Sequence, residues 1–229
     1  MQPYLFPYPG YFQLIMASDK FVIYDDVNFI RQGWINRNYI LLNDAKYLFT
    51  IPVQNISSNS KINQTLISAK PFKWEDKLLQ TILQAYKKAP YFKEVFPIVE
   101  SVIRGSSGKA ISKIATESIV AVMKYLSLET ALVQSSKGYN NEHLNNEERV
   151  IDICLIENAT HYINAQGGIN LYNKEYFISK NIQLQFIKPS QLLYKQWQPE
   201  FIPGLSIIDT MMFNPTDAII NMFNKYDLV

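Results

Sequence analysis

Hydrophobic and polar positions along the 229 residues follow two rhythms that change from stretch to stretch. Phe21 to Tyr24 is a short apolar run closed by Asp25 and Asp26, the pattern of a buried strand. Tyr39 to Leu42 and Tyr47 to Val53 flank the turn-prone pair Asn43 and Asp44, which predicts a hairpin, and Pro52 puts its second arm at a sheet edge. After the polar loop Gln54 to Lys61, Ile62 to Ser68 is a candidate short strand. From about residue 72 to 127 the period is helical. Leu78, Leu79, Ile82, Leu83 and Tyr86 mark a helix over Trp74 to Lys88, stopped by Ala89 and Pro90. A second helix covers Tyr91 to Arg104, bent or restarted at Pro97, and a third follows the turn Gly105 to Gly108, carrying Ile111, Ile114, Ile119, Val122 and Leu126 on its apolar face.

Strand patterns then return at Thr130 to Gln134, His161 to Asn164 and Ile182 to Phe186, interleaved with helices over Glu148 to Asn158 and Asn173 to Ser179. Strand and helix taking turns at this spacing predicts an α/β fold, a mostly parallel sheet covered by helices, with a central helical layer and an edge hairpin in a single domain over 1–229. Ser190 to Pro199 reads as an aromatic-rich loop or short helix, and two helices close the chain, Ser206 to Phe213 and Thr216 to Lys225.

Composition narrows the classes. The 22 basic and 20 acidic residues leave a net charge of +2, with no basic patch of the kind that nucleic-acid binding requires. No run approaches the ~18 apolar residues of a membrane-spanning helix, and no basic region followed by an apolar stretch opens the chain, so a cytoplasmic protein is expected. The one cysteine, Cys154, sits at apolar positions of a helix and reads as core. With two histidines, His143 and His161, no metal site is predicted.

Unusual chemistry concentrates in five stretches. MQPYLFPYPGYFQL, Met1 to Leu14, holds three tyrosines, two phenylalanines and three prolines around Gly10. The prolines predict a stiff loop from Pro3 to Pro9, with Tyr11 to Gln13 opening a helix whose free N–H groups suit a phosphate or carboxylate. Gln2, Tyr4, Tyr8, Gly10 and Tyr11 are therefore candidate substrate contacts, although an aromatic plug over the core explains them equally well. Asp25 and Asp26 end a strand, where α/β folds bind ligands, and neighbouring side chains there face opposite sides, so one of the two is expected to reach a ligand. Trp34, Asn36, Arg37 and Asn38 add a ring, a guanidinium and carboxamides suited to a sugar, phosphate or carboxylate, with a structural pairing of Arg37 to Asp25 or Asp26 as the alternative. Gln166, Gly167 and Gly168 follow a strand end and either cradle an anion or make a plain turn. Ser206 and Asp209 sit at N-cap and N3 of a helix, a capping signature as well as a candidate hydroxyl and carboxylate.

The patterns QPYxFPYxGYFQL, DxFVxYDDV and WINRNxIL, followed by ERVIDIC, HYINAQGG and PGLSIIDTMMFN, resemble the WbqC-like proteins, often encoded in O-antigen and other surface-polysaccharide gene clusters. The resemblance runs nearly the whole chain. Relatives carry a few apolar residues before MQP, so a first strand is implied of which this sequence shows at most the end. The chain has Asn164, Ala165 and Gln166 where relatives often have Ser-Gly before the glycine turn, which keeps the turn and loses a hydroxyl. The resemblance implies a transferase that places an aminoacyl (glycine-like) or acyl group on a nucleotide-linked amino sugar. Asp25, Asp26 and Asp209 would be the catalytic candidates, and the substrate a sugar nucleotide or activated acyl donor. Two alternatives stay open: a nucleotidylyltransferase-like enzyme, in which Tyr8 and Tyr11 stand where an HxGH site has histidines, and a non-catalytic module that binds a sugar nucleotide or activated amino acid. No cofactor or oligomeric state follows from the sequence.

Overall fold

The computed structural model describes residues 1–54, 56–190 and 192–229. Asn55 of the polar loop and Gln191 of the aromatic-rich segment lie outside the described residues. The chain opens with α1 (Pro9–Met16), β1 (Lys20–Val22) and the hairpin β2 (Arg37–Leu42) and β3 (Ala45–Thr50). The helical layer is α2 (Trp74–Tyr86), α3 (Phe92–Ile103) and α4 (Ile111–Tyr125). Then come β4 (Ala131–Val133), α5 (Asn146–Ile156), β5 (His161–Ala165), α6 (Lys174–Ser179), β6 (Gln183–Pro189), α7 (Ile207–Phe213), α8 (Thr216–Phe223) and β7 (Tyr226–Leu228).

The fold is mixed α/β, with its strands divided among small sheets. β1 pairs with β4 in parallel, β5 pairs with β6 in parallel, β6 with β7 antiparallel, and β2 with β3 antiparallel. In place of the one mostly parallel sheet expected, the strands form two short parallel pairs, one of them extended by the antiparallel β7, and a separate antiparallel hairpin. On the β1 edge away from β4, the Met1 nitrogen donates to the Val22 carbonyl at 2.6 Å and the Tyr24 N–H donates to the Met1 carbonyl at 2.8 Å. In the hairpin, Asn43 and Asp44 both have left-handed φ (51° and 58°), the two-residue turn whose twist matches the flanking strands.

Two sequence expectations are corrected. Ile62 to Ser68 forms no strand: Ile62–Gln64 is a 3-10 turn, closed by the Gln64 N–H on the Lys61 carbonyl (3.2 Å) and the Thr65 N–H on the Ile62 carbonyl (3.3 Å) and braced by the Thr65 hydroxyl on the Lys61 carbonyl (2.8 Å), and only single bridges at Leu66 and Ile67 follow. Pro97 does not restart a helix: α3 runs through it as one element, with Pro97 and Lys93 on the exposed face, where the carbonyl deprived of its donor can be hydrated.

The larger core joins α1, β1, the hairpin, α2 to α4, α7 and α8. A second cluster, Ile151, Cys154, Phe177, Ile182, Leu184 and Phe186, lies between α5, α6 and the β5–β6 pair. Burial pushes the Cys154 thiol up to about 11, so it stays an inert core group. Among the described residues no helix is long and apolar enough to cross a membrane.

Candidate functional site

The N-terminal loop is built into the core. Leu5, Phe6 and Pro7 are buried, while Tyr8 is exposed and Tyr4 half-buried on either side of them. Phe6 has φ 41°, a conformation that a bulky residue holds only when its surroundings fix it. They do so by hydrogen bonds from every side. The Phe6 N–H donates to the Ser118 hydroxyl at 2.9 Å, and the Phe6 carbonyl accepts from Asn38 Nδ2 and Ser206 Oγ, both at 2.7 Å. The Leu5 N–H donates to the Ile35 carbonyl at 3.1 Å and the Ile207 N–H to the Pro7 carbonyl at 2.9 Å. Three of the unusual stretches therefore meet at Phe6, where Asn38 and Ser206 satisfy a buried carbonyl. Ser206 also caps α7, accepting from the Ile208 N–H at 3.3 Å.

α1 starts at Pro9, two residues before the expected Tyr11, and this changes its donors. Pro9 has no N–H, and the Tyr11 N–H already donates to the Tyr8 carbonyl at 3.0 Å; Phe12 and Gln13 lie past the first turn, leaving Gly10 as the open position. A Cβ on Gly10 would meet Tyr8 Cε2 at 2.7 Å, so the glycine lets the tyrosine ring fold back over the helix start. Tyr11 is fully buried, its ring tilted against Tyr4 and Phe21 and its hydroxyl donating to the Gln2 carbonyl at 3.0 Å. It is a core residue, and the comparison with an HxGH histidine fails at that position.

Asp25 and Asp26 follow β1 at the end where its parallel partner β4 also finishes, and β4 delivers Ser135 and Ser136 to them. The acids diverge. Asp26 accepts from the Ser136 hydroxyl and pairs with Arg149 of α5 at 2.6 Å, both side chains almost wholly buried. The guanidinium also donates through Nε to Asn141 Oδ1 at 2.9 Å and lies 4.7 Å from the Tyr24 ring centroid. Asp25 accepts from the Ser135 hydroxyl at 2.7 Å, and its backbone N–H donates to Ser136 Oγ at 3.2 Å. Burial pushes the Asp25 carboxyl above its ordinary range, helped by the charge of Asp26 and opposed by the Ser135 hydrogen bond.

The remaining candidates are spread out. Asp209 is sealed from solvent and accepts from Tyr86 Oη (2.8 Å), Tyr194 Oη (2.7 Å) and Gln196 Nε2 (2.8 Å), neutral donors that joins α2 and the segment before α7 to that helix. Its carboxyl too is raised by burial, against the pull of those three hydrogen bonds. Arg37 Nε donates to the Gly33 carbonyl at 3.0 Å, and the guanidinium also bonds the Gln32 carbonyl, so it holds its own loop with the half-exposed Trp34 ring 5.9 Å away. Asn36 is buried and donates to the Ile51 carbonyl at 2.7 Å. Gln166, Gly167 and Gly168 open a 3-10 helix (Gln166–Leu171), and a Cβ on Gly168 would meet Asn164 Nδ2 at 2.8 Å.

Among these acids, only Asp25 borders an open groove, of about 590 Å³. The first turns of α4 supply Ser112, Lys113 and Thr116 to its wall, Val102 of α3 faces them, and Gln134 and Ser135 complete the strand-end side. Lys124 lines the same groove further along α4. Among the described residues no group of three or more His, Cys, Asp or Glu side chains could hold a metal ion. Sequence reasoning missed Ser135, Ser136, Arg149 and the α4 residues. The Ser-Ser pair just past a strand end was the available signal.

The model of the WbqC-like protein family matches residues 2–221. The chain belongs to that family. A WbqC-like chain of this length is also similar to a protein of Mycobacterium tuberculosis (strain ATCC 25618 / H37Rv) named Uncharacterized protein Rv1507c, 28% identical over 211 residues, covering 91% of this chain and 89% of that protein. No solved structure matches. Family membership thus assigns the chain to the WbqC-like proteins, and the relative's name adds no reaction.

Proposed function

We propose that this WbqC-like protein is a cytoplasmic transferase of bacterial surface-glycan (O-antigen) biosynthesis that places an aminoacyl (glycine-like) or acyl group on the amine of a nucleotide-linked amino sugar. The observation that carries this reading is Asp25: an almost wholly buried carboxylate that still borders the groove, at the shared C-terminal end of two parallel strands. Amine acylation forms an N–C bond, breaks the bond from the acyl carbon to its leaving group, and must remove a proton from the attacking nitrogen. A carboxylate whose burial favours the protonated form is a better acceptor for that proton than a solvated one. Ser135 orients it, and the Asp26–Arg149 pair anchors the neighbouring backbone to α5. Tyr4, Tyr8, Trp34, Gly10, Gln2 and the Gln166 to Gly168 turn remain candidate sugar or nucleotide contacts on this reading.

The test is product formation. The purified protein is incubated with UDP-glucosamine and, in turn, a glycyl or acyl thioester, an acyl phosphate and an acyl adenylate. Mass spectrometry is expected to find the N-acylated sugar nucleotide with one of them. Binding of the sugar nucleotide with no product from any donor would instead fit the non-catalytic module.

A further inference from the structure

A second feature of the groove lies on α4, away from the strand-end acids. The helix begins after Ala110, which offers no side-chain cap, and its first turn carries no acidic residue. The Ile111 N–H is taken by the Thr65 carbonyl at 2.8 Å, while the next two residues, Ser112 and Lys113, line the groove. One turn on stands Thr116, only 6% exposed and also lining the groove. Its hydroxyl is buried with no hydrogen-bond partner among the described residues. A helical threonine normally returns that hydroxyl to the preceding turn; this one is left unpaired in the wall of the groove, an unsatisfied donor for a ligand that displaces its cover.

The local path of the chain sets the scale. The Asn63 N–H donates to the Asp25 carbonyl at 3.0 Å, and Thr65, two residues on, holds the start of α4. The first turn of α4 and Asp25 are thus tied through one segment and line the same groove. Lys124 lies eleven residues down the helix, ~16 Å at the usual helical rise. Glu117, one residue past Thr116 and one turn beyond Lys113, lines the groove as well, so the Lys113 ammonium and the free N–H groups of the first turn must outweigh its negative charge, and an anion further along the helix has neither aid. A helix N-terminus, an ammonium group and an unpaired hydroxyl together match a tetrahedral oxyanion.

We propose that the first turn of α4 is a phosphate subsite, in which Lys113, the Thr116 hydroxyl and the N–H groups of Ser112 and Lys113 hold the diphosphate of a nucleotide-linked sugar while the sugar points toward Asp25. This deepens the transferase reading by fixing where the nucleotide end of its acceptor lies, and it rests on that reading only for the identity of the sugar.

Isothermal titration calorimetry without any acyl donor tests it, using inorganic pyrophosphate, UDP-glucosamine and glycine as separate probes. Pyrophosphate and the sugar nucleotide are expected to bind and glycine not to. Lys113→Met is expected to weaken both phosphate probes about tenfold, the loss of one charge-assisted contact. Thr116→Val is expected to weaken them several-fold with an unchanged or raised Tm, because the valine removes an unpaired hydroxyl without opening a void. Binding of both probes unaltered by both substitutions would overturn the subsite while leaving acyl transfer standing, as would binding of glycine alone. Pyrophosphate binding that the substitutions weaken, with no binding of the sugar nucleotide, would uphold the subsite and remove the nucleotide-linked acceptor.

Discussion

Replacing Asp209 separates a fold-holding carboxylate from a reacting one. Asp209→Ala removes the acceptor shared by Tyr86 Oη, Tyr194 Oη and Gln196 Nε2, and it strands three donors at a fully buried position. Hydrogen bonds to a charged group contribute roughly 1.5–3 kcal/mol each, which would sum to ~5–9 kcal/mol for three. Burying the carboxylate offsets several kcal/mol of that, so the net loss is expected at roughly 3–5 kcal/mol. Asp209→Asn keeps the volume and one acceptor oxygen, but it turns an N–H₂ toward Tyr86 Oη, which already accepts from the Leu41 N–H at 2.9 Å. A loss of about 1–3 kcal/mol is expected there. Urea titration at neutral pH, followed by far-UV and near-UV signals together, measures both. The pH dependence has a definite sign. Burial raises the native carboxyl above its ordinary 3.8, so the folded state binds the proton more tightly than the unfolded chain. Stability from this group is therefore present in acid and falls as pH rises from the ordinary value through the raised one; Asp25 adds to the same slope, and Asp209→Asn should flatten it. An Asp209→Ala protein that loses less than ~1 kcal/mol at an unchanged m value would refute the reasoning.

Three further outcomes are expected. Arg149→Gln leaves Asp26 buried without its partner and should cost roughly 3–5 kcal/mol in chemical denaturation, whereas an unchanged midpoint would mean that the pair is not a structural anchor. Ser206→Ala removes both the α7 cap and a donor to the Phe6 carbonyl, for an expected loss of about 1–2 kcal/mol, and hydrogen exchange should rise first at Phe6 and Ile208. Arg37→Lys is expected to lower Tm and leave sugar-nucleotide affinity in the folded protein nearly unchanged, because its guanidinium serves the carbonyls of residues 32 and 33; a clear affinity loss at constant Tm would return Arg37 to the ligand.

What the sequence showed was mostly local. The Asn43–Asp44 turn, the helical period of α2 to α4 and the acids at the end of β1 all depend on neighbours within a few residues. The partners of those acids do not. Ser135 is 110 residues from Asp25, and Arg149 is 123 from Asp26, so no spacing rule could pair them. β7 is three residues long and has no pattern of its own; pairing with β6 makes it a strand. The motif residues Asn38 and Ser206 stood out as unusual polar positions, yet their shared target, the Phe6 carbonyl, exists only once a loop with a left-handed phenylalanine is folded between them. Thr116 carried no signal at all, since a threonine in an apolar helical pattern reads as core, and only the missing hydrogen bond distinguishes it.

The central claim is that Asp25 takes the proton in a transfer reaction in the groove, and Asp25→Asn tests it most directly. The amide keeps the volume and can still accept from the Ser135 hydroxyl, so the fold and the affinity for UDP-glucosamine should persist. Turnover, measured as N-acylated product under single-turnover conditions, is predicted to fall about a hundredfold to ten-thousandfold. Full turnover by a stably folded Asp25→Asn protein would contradict the account.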